Sequence, residues 1–140
     1  MNNINLGRVV LGGLLAGLVL NIGEFLLNDI VLGAHMKAFM AEHKFNDPGV
    51  NFMIVAVGLT FVMGIVMVLG YAMIRPRLGP GVKTAIIAGL FAWFAVYFYS
   101  GIINGMVFGI PAGAMAMVSV WGLVQYAVAA VAGAWLYKEA

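Results

Sequence analysis

Four stretches of this chain, residues 8–32, 50–74, 84–109 and 112–137, run for more than twenty residues each with almost no charge. That feature leaves few options. A helix needs about 20 apolar residues to cross ~30 Å of hydrocarbon, and in lipid only a helix or a closed barrel satisfies its own backbone. None of the four stretches alternates polar and apolar residues as a barrel strand does. The expected fold is therefore all-α, one transmembrane domain over residues 1–140, forming an integral membrane four-helix bundle with short loops and antiparallel neighbours.

Composition agrees with this reading. The chain is 64% hydrophobic and 9% charged, whereas about a quarter of the residues of a soluble domain are charged. With no cysteine there is no disulfide framework, thiolate metal site or cysteine nucleophile. Seven Lys/Arg against five Asp/Glu form no basic run able to track a phosphate backbone, which argues against nucleic acid as a partner. The opening "MNNINLGRVVLGGLLAGLVL" has the charge pattern of a secretory signal. Its apolar run outlasts a signal h-region and no A-x-A site follows, so it reads as the first span.

The connections carry helix-end chemistry. "FNDPGV" offers Asn46 or Asp47 as a cap with Pro48 in the first turn, "RPRLGPGVKT" breaks the chain at Pro76 and Pro80, and "GIPAG" sets Pro111 at the start of the last helix. Arg8, Arg75, Arg77, Lys83 and Lys138 fall on one side of the four spans; Lys37 and Lys44 fall on the other. This distribution places both termini in the cytoplasm, and Tyr71, Trp135 and Tyr137 near that boundary fit an interfacial belt. The first outer connection, "GAHMKAFMAEHKFNDPG", repeats Met36, Phe39, Met40 and His43 at helical spacing. Either a short helix lies there on the outer leaflet or a solvated cap continues the first helix.

Small residues supply packing faces: Gly13 and Gly17 at GxxxG spacing, then Gly101, Gly105 and Gly109, then Ser119, Gly122, Ala129 and Gly133. They serve either within one molecule or between copies. "LLAGL" at 14–18 echoes "IIAGL" at 86–90, and "GYAMIR" at 70–75 echoes "GAWLYK" at 133–138, a pattern that either duplicated helical hairpins or chance in low-complexity apolar sequence produces.

The chemistry-bearing residues are few. Asn21, Glu24 and Asn28, within "NIGEFLLND", form a polar stripe on the first span. No Lys or Arg lies inside a span, so Glu24 is either protonated and hydrogen-bonded or faces an aqueous vestibule reached by Lys37, His35 or a bound cation. A matching stripe on the third span, Trp93, Tyr97, Ser100 and Asn104, offers hydrogen bonds to it. The simplest reading is a polar clamp between spans one and three; a proton or cation site is the functional alternative. In "FAWFAVYFYS", Trp93, Phe94 and Phe98 stand beside Gly101 and Gly105, a groove for a quinone, carotenoid, pigment or lipid tail if it is not ordinary packing. His35 and His43, with several methionines, are weak copper ligands at best, because eight residues separate them and a regular helix turns them apart. No G-x-S-x-G, H-E-x-x-H or phosphate-binding loop is present, and the expectation is that the chain is not an enzyme.

Three stretches, "LGGLLAGLVLNIGEFLLN", "IRPRLGPGVKTAIIAGL" and "WGLVQYAVAAVAGAWLYKE", together resemble an uncharacterised group of short bacterial proteins with four spans. The resemblance implies a bacterial inner-membrane address and carries no activity or cofactor with it. Two function classes follow from the residues. One is a structural or accessory subunit, its partners the lipid bilayer and other membrane subunits or further copies of itself. The other is an oligomeric small transporter or channel built on Glu24. For the topology, a cysteine placed at Lys44 is expected to react with an impermeant maleimide added outside intact cells; labelling only after lysis would invert the orientation.

Overall fold

The computed structural model describes residues 3–139, and every regular element among them is helical. Helix α1 (Leu6–Phe25) starts where the Asn5 side chain accepts the Arg8 N–H at 3.1 Å. It continues as a π-helical stretch, Leu26–Val31, that closes with the Leu32 N–H on the Leu27 carbonyl. The short α2 (Gly33–Glu42) buries no residue. Helix α3 (Gly49–Leu78) has 30 residues, about 45 Å of rise. Helix α4 (Val82–Ala92), a second π-helical stretch (Trp93–Phe98) and α5 (Tyr99–Val107) form one rod, and α6 (Ala112–Leu136) ends the chain. Four of these helical runs, Leu6–Val31, Gly49–Leu78, Val82–Val107 and Ala112–Leu136, are long and apolar enough to cross a membrane.

The ends follow local chemistry with small departures from expectation. Asp47 accepts the Gly49 N–H at 2.8 Å, so Pro48 stands at the cap rather than inside the first turn of α3. The α3–α4 turn needs positive φ at Gly79 (+83°) and Gly81 (+125°), which glycine adopts without strain. Thr84, buried, closes it by donating to the Gly79 carbonyl at 2.7 Å, and the Tyr71 hydroxyl accepts the Gly81 N–H at 3.2 Å.

The long helices pack in a ring, with α1 against α3 and α6, and α4 against α3 and α6. Glycine sets the spacing. A Cβ on Gly13 would meet the Ile65 backbone, one on Gly17 would meet Phe61, and one on Gly64 would strike the Gly13 carbonyl and the Gly17 amide. Numbers rising on α1 pair with numbers falling on α3, so the two run antiparallel. Gly12 and Gly133 bring α1 onto α6 in the same way, and Gly89 brings α4 onto the Tyr126 carbonyl. The Gly13–Gly17 pair is thus used inside one molecule. Gly101 faces open space and Gly109 lies beyond α5 with φ +69°, so the expected Gly101–Gly105–Gly109 seam is not formed; Gly105 alone packs, on Met115.

The core gathers toward the end that carries both termini. Val9, Ala16 and Leu20 of α1, Met67, Val68, Tyr71 and Ala72 of α3, Ala85 and Ala88 of α4, and Tyr126, Ala129 and Ala130 of α6 are buried together. Tyr137 completes it: its ring stands edge-on to Tyr71 at 5.9 Å, its hydroxyl accepts the Asn5 N–H at 3.4 Å, and Arg75 lies over it while pairing with Glu139 at 2.8 Å. Tyr71 and Tyr137 are therefore packing residues, while Trp135 alone of that trio projects outward. At the opposite end the helices part, and in the first ten residues of α3 only Ala56 is even half-buried.

The glycine contacts make a direct test possible. Gly64→Ala is expected to cost about 1–3 kcal/mol through overpacking, whereas Gly58→Ala, facing open space, should be neutral or stabilise by roughly 0.4–1 kcal/mol. Thermal unfolding in detergent, followed by circular dichroism, reads both.

Candidate functional site

Glu24 lies on α1 just before the backbone widens into the π-helical stretch. Its half-buried carboxylate accepts the Gln125 Nε2 of α6 at 2.6 Å on Oε1 and the Asn28 Nδ2 at 3.0 Å on Oε2. Asn28 also donates to the Glu24 carbonyl at 2.9 Å. Gln125 is only 7% exposed, so its amide cannot turn freely toward solvent. The Trp121 Nε1 donates to Gln125 Oε1 and to the Gly23 carbonyl, both at 3.1 Å. An indole N–H can only donate. The Gln125 oxygen must therefore face Trp121, which leaves its NH2 to face Glu24. Gly23 is required there, since a Cβ would fall on Gln125 Oε1.

Two phenols join the group. Tyr97 and Tyr126 both interact electrostatically with Glu24, and their rings meet at 5.6 Å and 61°. Tyr97 reaches inward because Gly122 has no side chain to obstruct its ring. The assembled neighbours are neutral donors, and among the described residues no Lys, Arg or His forms an ion pair with Glu24. The arrangement presents hydrogen-bond donors to the Glu24 carboxyl group and brings no positive charge to it.

The stripe residues separate into three places. Asn21 turns to α3, its Nδ2 donating to Gly17 O at 3.0 Å and Val57 O at 3.4 Å. Glu24, Asn28 and Tyr97 come together. Ser100 and Asn104 do not reach Glu24; Asn104 donates to the Ser100 carbonyl at 2.9 Å, and both line a cleft beyond Tyr97. The clamp drawn from spans one and three is made by Tyr97 alone of that stripe, whose hydroxyl bonds Glu24, and a second bridge runs from α1 to α6 through Gln125. The π-helical stretch Trp93–Phe98 lies within the stripe. One inserted residue rotates whatever follows by about 100°, and Trp93 lines one cleft while Tyr97, Ser100 and Asn104 line another.

The aromatic groove is likewise divided. Trp93 packs on Phe98 at 4.9 Å and donates to the Ser119 carbonyl at 3.0 Å. With Ile102, Met115 and Leu123 these rings line one cleft of about 440 Å³. Gly101 and Gly105 line another, of about 390 Å³, with Tyr97, Ser100, Asn104 and Met115. Phe94 stacks on Phe98 at 5.8 Å and points outward. At the α2 end, His43 sits between Phe39 and Phe45, with Nδ1 2.9 Å from the Phe39 carbonyl, and His35 is exposed. Among the described residues no three His, Cys, Asp or Glu side chains converge as metal ligands.

Gln125, Trp121 and Tyr126 are the site residues that the pattern of the sequence did not single out. A signal was present: Gln125 is the one amide in α6, and Trp121 lies four residues before it, on the same face. Comparison with protein-family models, curated proteins and solved structures finds no match. Gln125→Leu, which strips the carboxylate of its shortest bond, is expected to lower stability by about 1–3 kcal/mol. Trp121→Phe should cost less, roughly 0.6–1.7 kcal/mol. Thermal unfolding of the two variants beside Glu24→Gln orders the contributions.

Proposed function

We propose that this chain is a multi-pass protein of a bacterial inner membrane, with cytoplasmic termini, that serves as a structural or accessory subunit of a larger membrane assembly. The observation that carries this reading is the uneven closure of the helices. Glycine contacts and the Tyr71–Tyr137 packing hold the termini end. At the other end Val50, Phe52, Met53, Ile54 and Val55 of α3 and Ile103, Met106 and Val107 of α5 are exposed. Such a molecule is a firm base with an open, largely apolar head. In lipid there is no hydrophobic drive to close that head on itself, and helices of a neighbouring subunit fit against it through the same packing forces. The cleft lined by Trp93, Phe98, Ile102 and Leu123 suits a lipid tail or apolar cofactor held at that contact. On this reading α2 rests on the outer leaflet, and no step of catalysis is assigned to the chain.

Native mass spectrometry on the protein extracted in mild detergent from its own membranes tests the proposal. The expected result is a fixed stoichiometry with a different, larger membrane protein. A homo-oligomer or monomer as the sole species would overturn it, and the homo-oligomer would favour transport.

A further inference from the structure

A second property of the molecule concerns Glu24 and the cleft beside Tyr97. Its two oxygens are each met by an amide NH2, from Gln125 at 2.6 Å and Asn28 at 3.0 Å. The Trp121 N–H fixes the first of these amides in that sense. Every one of these contacts favours the carboxylate as acceptor, and none brings positive charge. A negative charge beside apolar helices needs a counter-ion, and the half-exposed carboxylate leaves a side on which one can approach.

The surroundings select the kind of cation. A hard ion such as Ca²⁺ takes roughly 6–8 oxygen ligands, and here both neighbouring amides present nitrogen. Soft-metal ligation is equally unsupported, since no three His, Cys, Asp or Glu side chains converge among the described residues. What the site does offer is aromatic surface: Tyr97 and Trp121 are partly exposed, and the buried Tyr126 ring backs Tyr97. A carboxylate with aromatic rings suits a cation of diffuse charge, weakly hydrated and polarised by π-faces. Room for its substituents lies alongside. Tyr97 is the shared wall, one of its neighbours being Glu24 and the other the cleft of about 390 Å³ lined chiefly by Gly101, Gly105, Met115 and Val118.

We propose that Glu24 and the α5–α6 cleft beside Tyr97 form a binding site for a lipophilic organic cation, a substituted ammonium or phosphonium. Its charge sits against the carboxylate and its apolar substituents fill the cleft.

Equilibrium dialysis of the purified full chain in non-ionic detergent, with tetraphenylphosphonium as the probe, tests this. Tetraphenylborate, of the same shape and opposite charge, is the control. Saturable binding of the phosphonium is expected, without competition from the borate. Glu24→Gln should weaken binding by about tenfold or more, while Glu24→Asp, which keeps the charge, should stay within about threefold. Phosphonium should also protect Glu24 of the unmutated chain from dicyclohexylcarbodiimide, as read by mass mapping, a result that does not depend on any variant folding. Non-saturable uptake, equal binding of borate and phosphonium, or failure to protect Glu24 would overturn the proposal. So would unchanged affinity in a Glu24→Gln protein that remains helical and monodisperse. None of these outcomes bears on the stoichiometry with a larger subunit, so the two proposals stand or fall separately.

Discussion

The contact on which the rest of the structure depends is backbone against backbone, made where Gly12 meets Gly133 and where Gly13 and Gly17 meet Gly64. For helices in lipid the usual drive to bury apolar surface is missing, so close van der Waals approach and a few polar bridges must hold the helices together. Glycine allows that approach only at particular heights along each helix. Those heights lie toward the end where Val9, Val68, Tyr71 and Tyr137 are buried. Straight rods that cross closely at one level separate at another, and the splayed end of α3 and α5 is the geometric result.

The two π-helical stretches act on this frame by rephasing side chains. Trp93–Phe98 lets Trp93 and Tyr97 face α6, while Ser100 and Asn104 line the α5–α6 cleft beyond Tyr97. Leu26–Val31 begins two residues after Glu24 and carries Asn28, whose amide folds back on the carboxylate. Widened turns of this kind occur often at functional sites. Here both border Glu24, a carboxylate lying within a long apolar helix.

Much of the architecture was legible in the residues. Proline, glycine and the charged turns located the four long helices to within a few positions, because those residues act on the backbone locally. Gly13 and Gly17 were visible as a pair, although their use on α3 rather than on another copy depends on tertiary contacts that spacing does not encode. The site was legible only in part. Glu24 stood out by its charge, but its bond to Gln125 spans 101 positions and no periodicity links them. Ser100 and Asn104 share a cleft with Tyr97, as the spacing suggests, but they lie beyond the reach of Glu24. Tyr71 and Tyr137 carry the signature of interfacial residues, and the structure uses that same amphipathic character to pack a ring and bind a backbone amide at the seam between α1, α3 and the chain's last residues.

The length of that Glu24–Gln125 separation also sets a sequence of events during synthesis. The carboxylate is made 101 residues before the amide that binds it, and Gly12 likewise waits for Gly133 at the far end of the chain. At about 5–20 residues per second, the interval is on the order of 5–20 s. Throughout that time α1 can pair with α3 through Gly13, Gly17 and Gly64, but its other face, with the acidic group on it, has no permanent neighbour. The nascent chain thus passes through a stage in which Glu24 has its local Asn28 bond but lacks the amide on Oε1, and α6 arrives last to supply it.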